Sequence, residues 1–176
     1  MTDTPPPAPV LGRPGQAYQT ARLRWAQTRD AEPLAQLWQL AYPDTPEDVA
    51  SMQAWFEHGG ALVLEDRAGG LLAALRWRET TSGWEVDRVA TMPGHRGQGY
   101  GRWLMTNLEA AAIRANVPRL HLLLPRDARP EQLAYYARIG YQATDDGGEQ
   151  LRLEKRVGGT WQTKAPGATS WVGASA

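Results

Sequence analysis

The stretch Val86-Asp87-Arg88-Val89-Ala90-Thr91-Met92-Pro93-Gly94-His95-Arg96-Gly97-Gln98-Gly99-Tyr100-Gly101-Arg102 runs from a strand-like pattern through alternate glycines into a helical one. Where a chain does this, several backbone N–H groups converge at the helix N-terminus, which carries about half a positive charge. Glycine tolerates positive φ and lets a bulky anion approach without meeting a Cβ. Arg96 and Arg102 flank the turn, and guanidinium groups bind phosphate through forked, charge-assisted bonds. The segment Arg96, Gly97, Gln98, Gly99, Tyr100, Gly101 and Arg102 therefore reads as a phosphate or diphosphate seat. It lacks the Gly-Lys-Ser/Thr of a nucleotide loop, which disfavours a triphosphate with magnesium. Position 102 is Arg where a dinucleotide fingerprint needs a third glycine, which disfavours that fold. The competing reading is a glycine-rich turn that caps a helix and holds nothing.

Other side chains able to do chemistry are sparse. Glu85 and Asp87 lie two apart on the strand before the loop, so they share a face. If Thr80–Gly83 closes a hairpin, Arg78 faces Glu85 and Arg76 faces Asp87, as ordinary cross-strand ion pairs that would lower both carboxylate pKa values. His95 sits in the loop, where exposure is expected. His121 alternates with leucines, as a structural histidine does. With three scattered histidines and no cysteine, a metal site, a disulfide framework and a catalytic thiol are not expected.

These residues need elements to hold them. Arg22–Ala26 reads as a strand. Asp30 caps a helix with Leu34, Leu37, Trp38 and Ala41 on one face, which Pro43 ends. Thr45-Pro46-Glu47-Asp48 opens a second helix running to about His58, stopped by Gly59-Gly60. Ala61–Asp66 and Leu71–Glu79 form a hairpin, and Trp84–Met92 is a further strand. Tyr100–Asn116, with Leu104, Leu108, Ala111, Ala112 and Ala115 on one side, is an amphipathic helix. Arg119–Leu124 is a strand and Pro130–Ile139 a helix ended by Gly140. Tyr141–Thr144 and Gln150–Arg156 form the last hairpin. The order is β-α-α-β-β-β-α-β-α-β-β. Residues 1–20 form a Pro-rich arm, 21–157 the domain, and 158–176 a Gly/Ser/Ala-rich tail in which Trp161 and Trp171 could dock on the domain or a second subunit.

Length and composition fit one globular domain: 176 residues, 42% apolar and 22% charged. Nineteen basic and nineteen acidic side chains cancel, so no nucleic-acid or anionic-membrane partner is expected. No apolar run approaches a bilayer span and the first residues lack a signal peptide's apolar segment, pointing to a cytoplasmic protein.

Arg96-Gly97-Gln98-Gly99-Tyr100-Gly101 resembles the Arg/Gln-x-x-Gly-x-Gly/Ala signature of the GNAT family of N-acetyltransferases. Ala134-Tyr135-Tyr136-Ala137-Arg138-Ile139-Gly140-Tyr141 is similar to the family's second landmark, and the element order agrees from about 21 to 156. The resemblance implies an α/β (α+β) fold: one mixed, mostly antiparallel, splayed sheet of about seven strands with about four helices. It implies acetyl-CoA as co-substrate, without a metal, and an amine acceptor. The pantetheine arm would pair with Val89, Ala90 and Thr91, with a strand N–H polarising the thioester carbonyl. Tyr136 stands at the family's general acid, the competing reading being that it fills the core with Tyr135 and Tyr141. Glu85 matches the base carried by histone-type members. Arg129 departs from the family's common Asn seven residues before the Tyr.

A lysine-like amine is free base in only ~1 molecule in 2,500 at pH 7, a handicap of about 4.6 kcal/mol, whereas an α-amine near pKa 8 needs far less help. Without cysteine, an acetyl-cysteine intermediate is not expected, leaving direct attack in a ternary complex. Trp38, Tyr42, Trp55, Phe56, Trp77 and Trp84 are candidates for an acceptor wall, most of them better read as core. The alternatives are a noncatalytic acyl-CoA-binding module and a protein-interaction module of the same fold. The family habit and the tail tryptophans suggest a homodimer.

Overall fold

The structure, a computed structural model, describes residues 21–144 and 148–157. The expected arm at 1–20 and tail at 158–176, with Trp161 and Trp171, lie outside the described residues. In chain order the elements are β1 (Arg22–Trp25), α1 (Ala31–Ala41), α2 (Val49–Trp55), β2 (Gly59–Glu65), β3 (Leu71–Thr80), β4 (Gly83–Thr91), α3 (Tyr100–Arg114), β5 (Arg119–Pro125), α4 (Pro130–Arg138), β6 (Gln142–Thr144) and β7 (Gln150–Arg156). Short 3-10 turns occupy Thr28–Asp30 and Pro93–His95.

The strands form one seven-stranded sheet in the order β1-β2-β3-β4-β5-β7-β6. Neighbours are antiparallel except β4 and β5, which run parallel. That parallel pairing is brief: Trp84–Val86 meets Leu120–Leu122, whereas β4 continues to Thr91 and β5 to Pro125. Past Val86 the two strands part, and the sheet splays into a wedge.

Strand alternation feeds two cores. On one face Trp77, Trp84, Val86, Leu120 and Leu122 pack against α3 through Leu104, Leu108, Ala111 and Ala112, joined by Tyr136 of α4. On the other, Ala61, Val63, Ala74 and Ala90 pack against Leu34, Leu37 and Trp38 of α1 and Met52 of α2. Each buried leucine contributes roughly 1.5–3 kcal/mol, so both layers hold the wedge's walls firmly.

Some expectations shift, each for a local reason. Asp30 precedes α1, but its carboxylate does not cap it; Arg24 takes Oδ1 and Oδ2 in a forked pair, and the Gln27 amide donates to Oδ2. The second helix starts later than Thr45, because Asp48 supplies the cap by accepting from the Ser51 amide at 2.8 Å. Gly59 and Gly60 are not its stop but the first residues of β2. They are glycines because a Cβ at Gly60 would stand 2.4 Å from the Trp77 ring, and one at Gly59 2.5 Å from the Trp77 carbonyl oxygen. Ala115 lies past the end of α3 and is exposed.

Candidate active site

The glycine loop has the expected backbone. After the Pro93–His95 turn, Gly97 and Gly99 adopt φ of 77° and 80°, and α3 begins at Tyr100. L-residues pay about 1–2 kcal/mol for this region, so glycine at 97 and 99 is a backbone requirement. Arg96, Gly97, Gln98, Gly99 and Arg102 are exposed, while buried Tyr100 anchors the helix start. A Cβ at Gly97 would meet nothing within 4 Å, so the ground above the loop is open. A Cβ at Gly101 would lie 3.5 Å from the Tyr135 hydroxyl and 3.9 Å from Val89. The first turn of α3 thus sits against both β4 and α4, at the mouth of the splay.

On β4, Leu75 faces Val89 and Ala74 faces Ala90. The Val89 main chain turns away from β3: its N–H donates to the Tyr42 hydroxyl at 3.2 Å, and that hydroxyl donates to the Val89 carbonyl at 2.9 Å. The Met92 N–H instead donates to Leu72 of β3 at 2.8 Å. Main-chain groups alternate sides along a strand, so Val89 and Thr91 address the open edge, whereas Ala90 belongs to the β3 ladder. Tyr42 follows α1 directly. Burial raises its pKa, outweighing the Val89 hydrogen bond, so the hydroxyl keeps its proton.

Tyr136 is buried beside that mouth. Its ring meets Tyr135 edge-on at 5.1 Å and Tyr141 at 5.9 Å. Burial pushes its pKa well above the ordinary tyrosine value, with Tyr42 and Tyr135 adding to the effect. Tyr136 is accordingly a neutral phenol, able to donate.

Glu85 and Asp87 do face the same side of the sheet, and both anticipated ion pairs form, with Arg78 directly opposite Glu85 as expected but Arg76 out of register with Asp87. A bulge between Arg76 and Trp77 sets Arg76 opposite Arg88 and leaves Asp87 unmatched. This turns both Asp87 and Arg88 toward α1 and α2. Arg76 nevertheless reaches Asp87 (Nε to Oδ2, 2.6 Å) and grips Glu47 through both terminal nitrogens, with its guanidinium 4.1 Å from the Trp55 ring centroid. Glu85 is buried, with Oε1 accepting from Arg78 Nε at 2.9 Å and Oε2 3.2 Å from His121 Nε2. Burial lowers the His121 pKa, helped by the charge of Arg152 and opposed by Glu85. A neutral His121 donates from Nε2 to Glu85, leaving the buried Nδ1 without a partner.

Of the aromatic candidates, Trp38, Trp77 and Trp84 belong to the cores. Trp55 and Phe56 are half-buried, with Trp55 covering Arg76. Tyr42 hydrogen-bonds the open edge of β4 at Val89. Arg129 precedes α4 with extended backbone. Two features escape sequence reasoning: the pair of hydrogen bonds between the Tyr42 hydroxyl and the Val89 main chain, and Arg88, whose guanidinium lies 4.7 Å from the Tyr42 ring centroid. Neither has a spacing signal, since both depend on how far the α1–α2 turn reaches. Among the described residues no cluster of three His, Cys, Asp or Glu could hold a metal, and no helix is long and apolar enough to cross a membrane.

The profile of the Acetyltransferase (GNAT) family matches residues 21–141. The chain is 32% identical over 120 residues to the S-alkylcysteine N-acetyltransferase of Bacillus subtilis (strain 168), covering 63% of this chain and 66% of that protein, just under two thirds of its length. Its structure is similar to the ribosomal-protein-S18-alanine N-acetyltransferase of Escherichia coli, with a TM-score of 0.68, 15% identity, and 81% and 97% of the two chains covered. It is also similar to YncA of Salmonella typhimurium with its cofactor acetyl-CoA, with a TM-score of 0.64, 18% identity, and 85% and 99% covered.

Proposed function

The chain belongs to the GNAT acetyltransferase family, and on that premise we propose that it moves an acetyl group from acetyl-CoA to the amine of a small acceptor by direct attack in a ternary complex. The observation that carries this reading is the open wedge between β4 and β5, with a glycine nest at one end and an outward-facing Val89 amide at the other. Similarity to the S-alkylcysteine enzyme makes S-substituted cysteines the first acceptors to try.

In this reading the amides from Gly97 to Arg102 hold the diphosphate, with Arg96 and Arg102 adding charge. Val89 and Thr91 pair with the pantetheine arm as an added strand would. The Val89 N–H then donates to the thioester oxygen, where negative charge develops. In this structure Tyr42 holds that N–H, so the arriving thioester has to displace it. The amine nitrogen forms the C–N bond as the C–S bond breaks. Tyr136 gives its proton to the departing sulfur and regains one from the ammonium through solvent.

Glu85 is a poor direct base, because Arg78 and His121 hold both of its oxygens. Its part is to draw the acceptor's proton by way of water. An α-amine demands little of it.

The test uses the absence of cysteine: a thiol-reactive dye sees only released CoA. Acetyl-CoA with an amine panel should give acceptor-dependent thiol release. Cofactor binding without release with any amine would leave a noncatalytic acyl-CoA module. No rise in melting temperature with acetyl-CoA would leave a protein-interaction module.

A further inference from the structure

On the acceptor side of Val89 the structure carries two cations and two carboxylates, and they are unequally shared. Arg76 takes the carboxylates: both terminal nitrogens go to Glu47, and Nε lies 2.6 Å from Asp87 Oδ2. Arg88 has only long approaches to the same groups, with Nη2 3.4 Å from Glu47 and Nε 3.7 Å from Asp87. Its Nη2 settles on Thr45, with the carbonyl at 3.0 Å and the hydroxyl at 3.1 Å. Its Nη1 is buried and has no acceptor at all. A guanidinium presents rigidly placed donors matched to a carboxylate, and a buried donor left unmade is costly. Such a donor next to a reaction centre indicates a group that arrives with the substrate.

We infer that Arg88 is the seat of a carboxylate on the acceptor, which is therefore a zwitterionic amino acid and not a polycation. This rests on the acetyl-transfer reading and deepens it. Three observations converge. Arg88 directly precedes Val89, whose N–H faces the thioester oxygen in that reading. The bulge at Asp87 turns Arg88 to the α1–α2 face, opposite the face packed by α3. Finally, the Tyr42 ring lies over the guanidinium while its hydroxyl holds Val89. A pantetheine arm that displaces Tyr42 from Val89 also uncovers Arg88. A carboxylate on Arg88 keeps an α-amine within two bonds of its carboxyl carbon, close to the acyl group at Val89. A polyamine meets no net negative charge here, because Arg76 and Arg88 together balance Glu47 and Asp87.

The experiment compares S-methyl-L-cysteine, its carboxamide and spermidine on the full chain loaded with CoA, by calorimetric binding, and with acetyl-CoA, by thiol release. The acid should bind at least tenfold more tightly than the amide, with spermidine not measurable. Arg88→Met should collapse the acid-to-amide ratio toward one, mainly through KM, with CoA affinity unchanged within about twofold. Arg88→Lys, which keeps a charge without the fork, should retain part of the ratio and serves if the Met variant does not fold. Equal binding of acid and amide, binding of neither, or an undiminished ratio in the Met variant overturns the assignment. Acid binding that depends on Arg88 without turnover would uphold Arg88 and overturn the transfer reading; turnover of acid and amide alike would do the reverse.

Discussion

Replacing Tyr42 by Phe separates two roles of one hydroxyl. That oxygen makes two hydrogen bonds to Val89, at 2.9 and 3.2 Å, on an edge of β4 that β5 does not cover. Each such bond is worth about 0.5–1.5 kcal/mol net. Tyr42 is only half-buried, so water recovers part of the loss, and the free protein should lose about 1–2 kcal/mol. For a chain of this size that is a fall in Tm of about 2–8 °C. In the proposed complex, however, the pantetheine arm supplies the partners of Val89 in both proteins. The loss therefore falls mainly on the free state, and acetyl-CoA should bind the variant about 5- to 30-fold more tightly. Differential scanning calorimetry and isothermal titration read the two effects separately. A lower Tm with unchanged or weaker acetyl-CoA affinity would refute the claim that cofactor and Tyr42 compete for one backbone position.

Other expectations follow from the same geometry. Tyr136→Phe should reduce kcat at least about 100-fold, the low end for a lost general acid, while acetyl-CoA affinity changes less than about twofold; steady-state kinetics with calorimetry checks both. Because burial raises the Tyr136 pKa, the alkaline fall in wild-type kcat due to this group should begin only above about pH 10, as a pH–rate profile would reveal. Gly97→Leu places its Cβ in open space at positive φ, so a strain of about 1–2 kcal/mol should leave the fold intact by circular dichroism. Acetyl-CoA affinity should nonetheless fall more than about 100-fold. His121 has a folded-state pKa below its ordinary 6.5, so the unfolded chain takes up its proton first. The stability that His121 provides by staying neutral is present above about pH 6.5 and lost as the pH falls toward the depressed folded value. In denaturant melts, His121→Gln should flatten that slope below about pH 6.5.

Much of this architecture was legible in residue patterns. The long helix α3, the β2–β3–β4 meander and the glycine loop each carry a local signature: 3.6-residue periodicity, turn glycines, and alternate glycines before a helix. Where reading failed, the cause was tertiary. Gly59-Gly60 resembles a helix stop until Trp77 is seen to need the space. Thr45-Pro46 resembles a cap until Asp48 provides a better one, leaving Thr45 to hold Arg88. Simple alternation pairs Arg76 with Asp87 across the ladder, and only the bulge reveals that Arg76 stands opposite Arg88 and reaches Asp87 diagonally. The proposed diphosphate seat was readable because its chemistry is main-chain and local. The proposed acceptor side was not, because Tyr42, Arg88 and Val89 are brought together by the length of the α1–α2 turn, which no periodicity encodes.

The most direct test of the central claim is a calorimetric titration of the full chain with coenzyme A. One saturable binding event at a one-to-one ratio is expected, since in the proposed complex one cofactor spans the glycine loop and the open edge of β4. A folded protein that gives no binding signal at millimolar coenzyme A would contradict it.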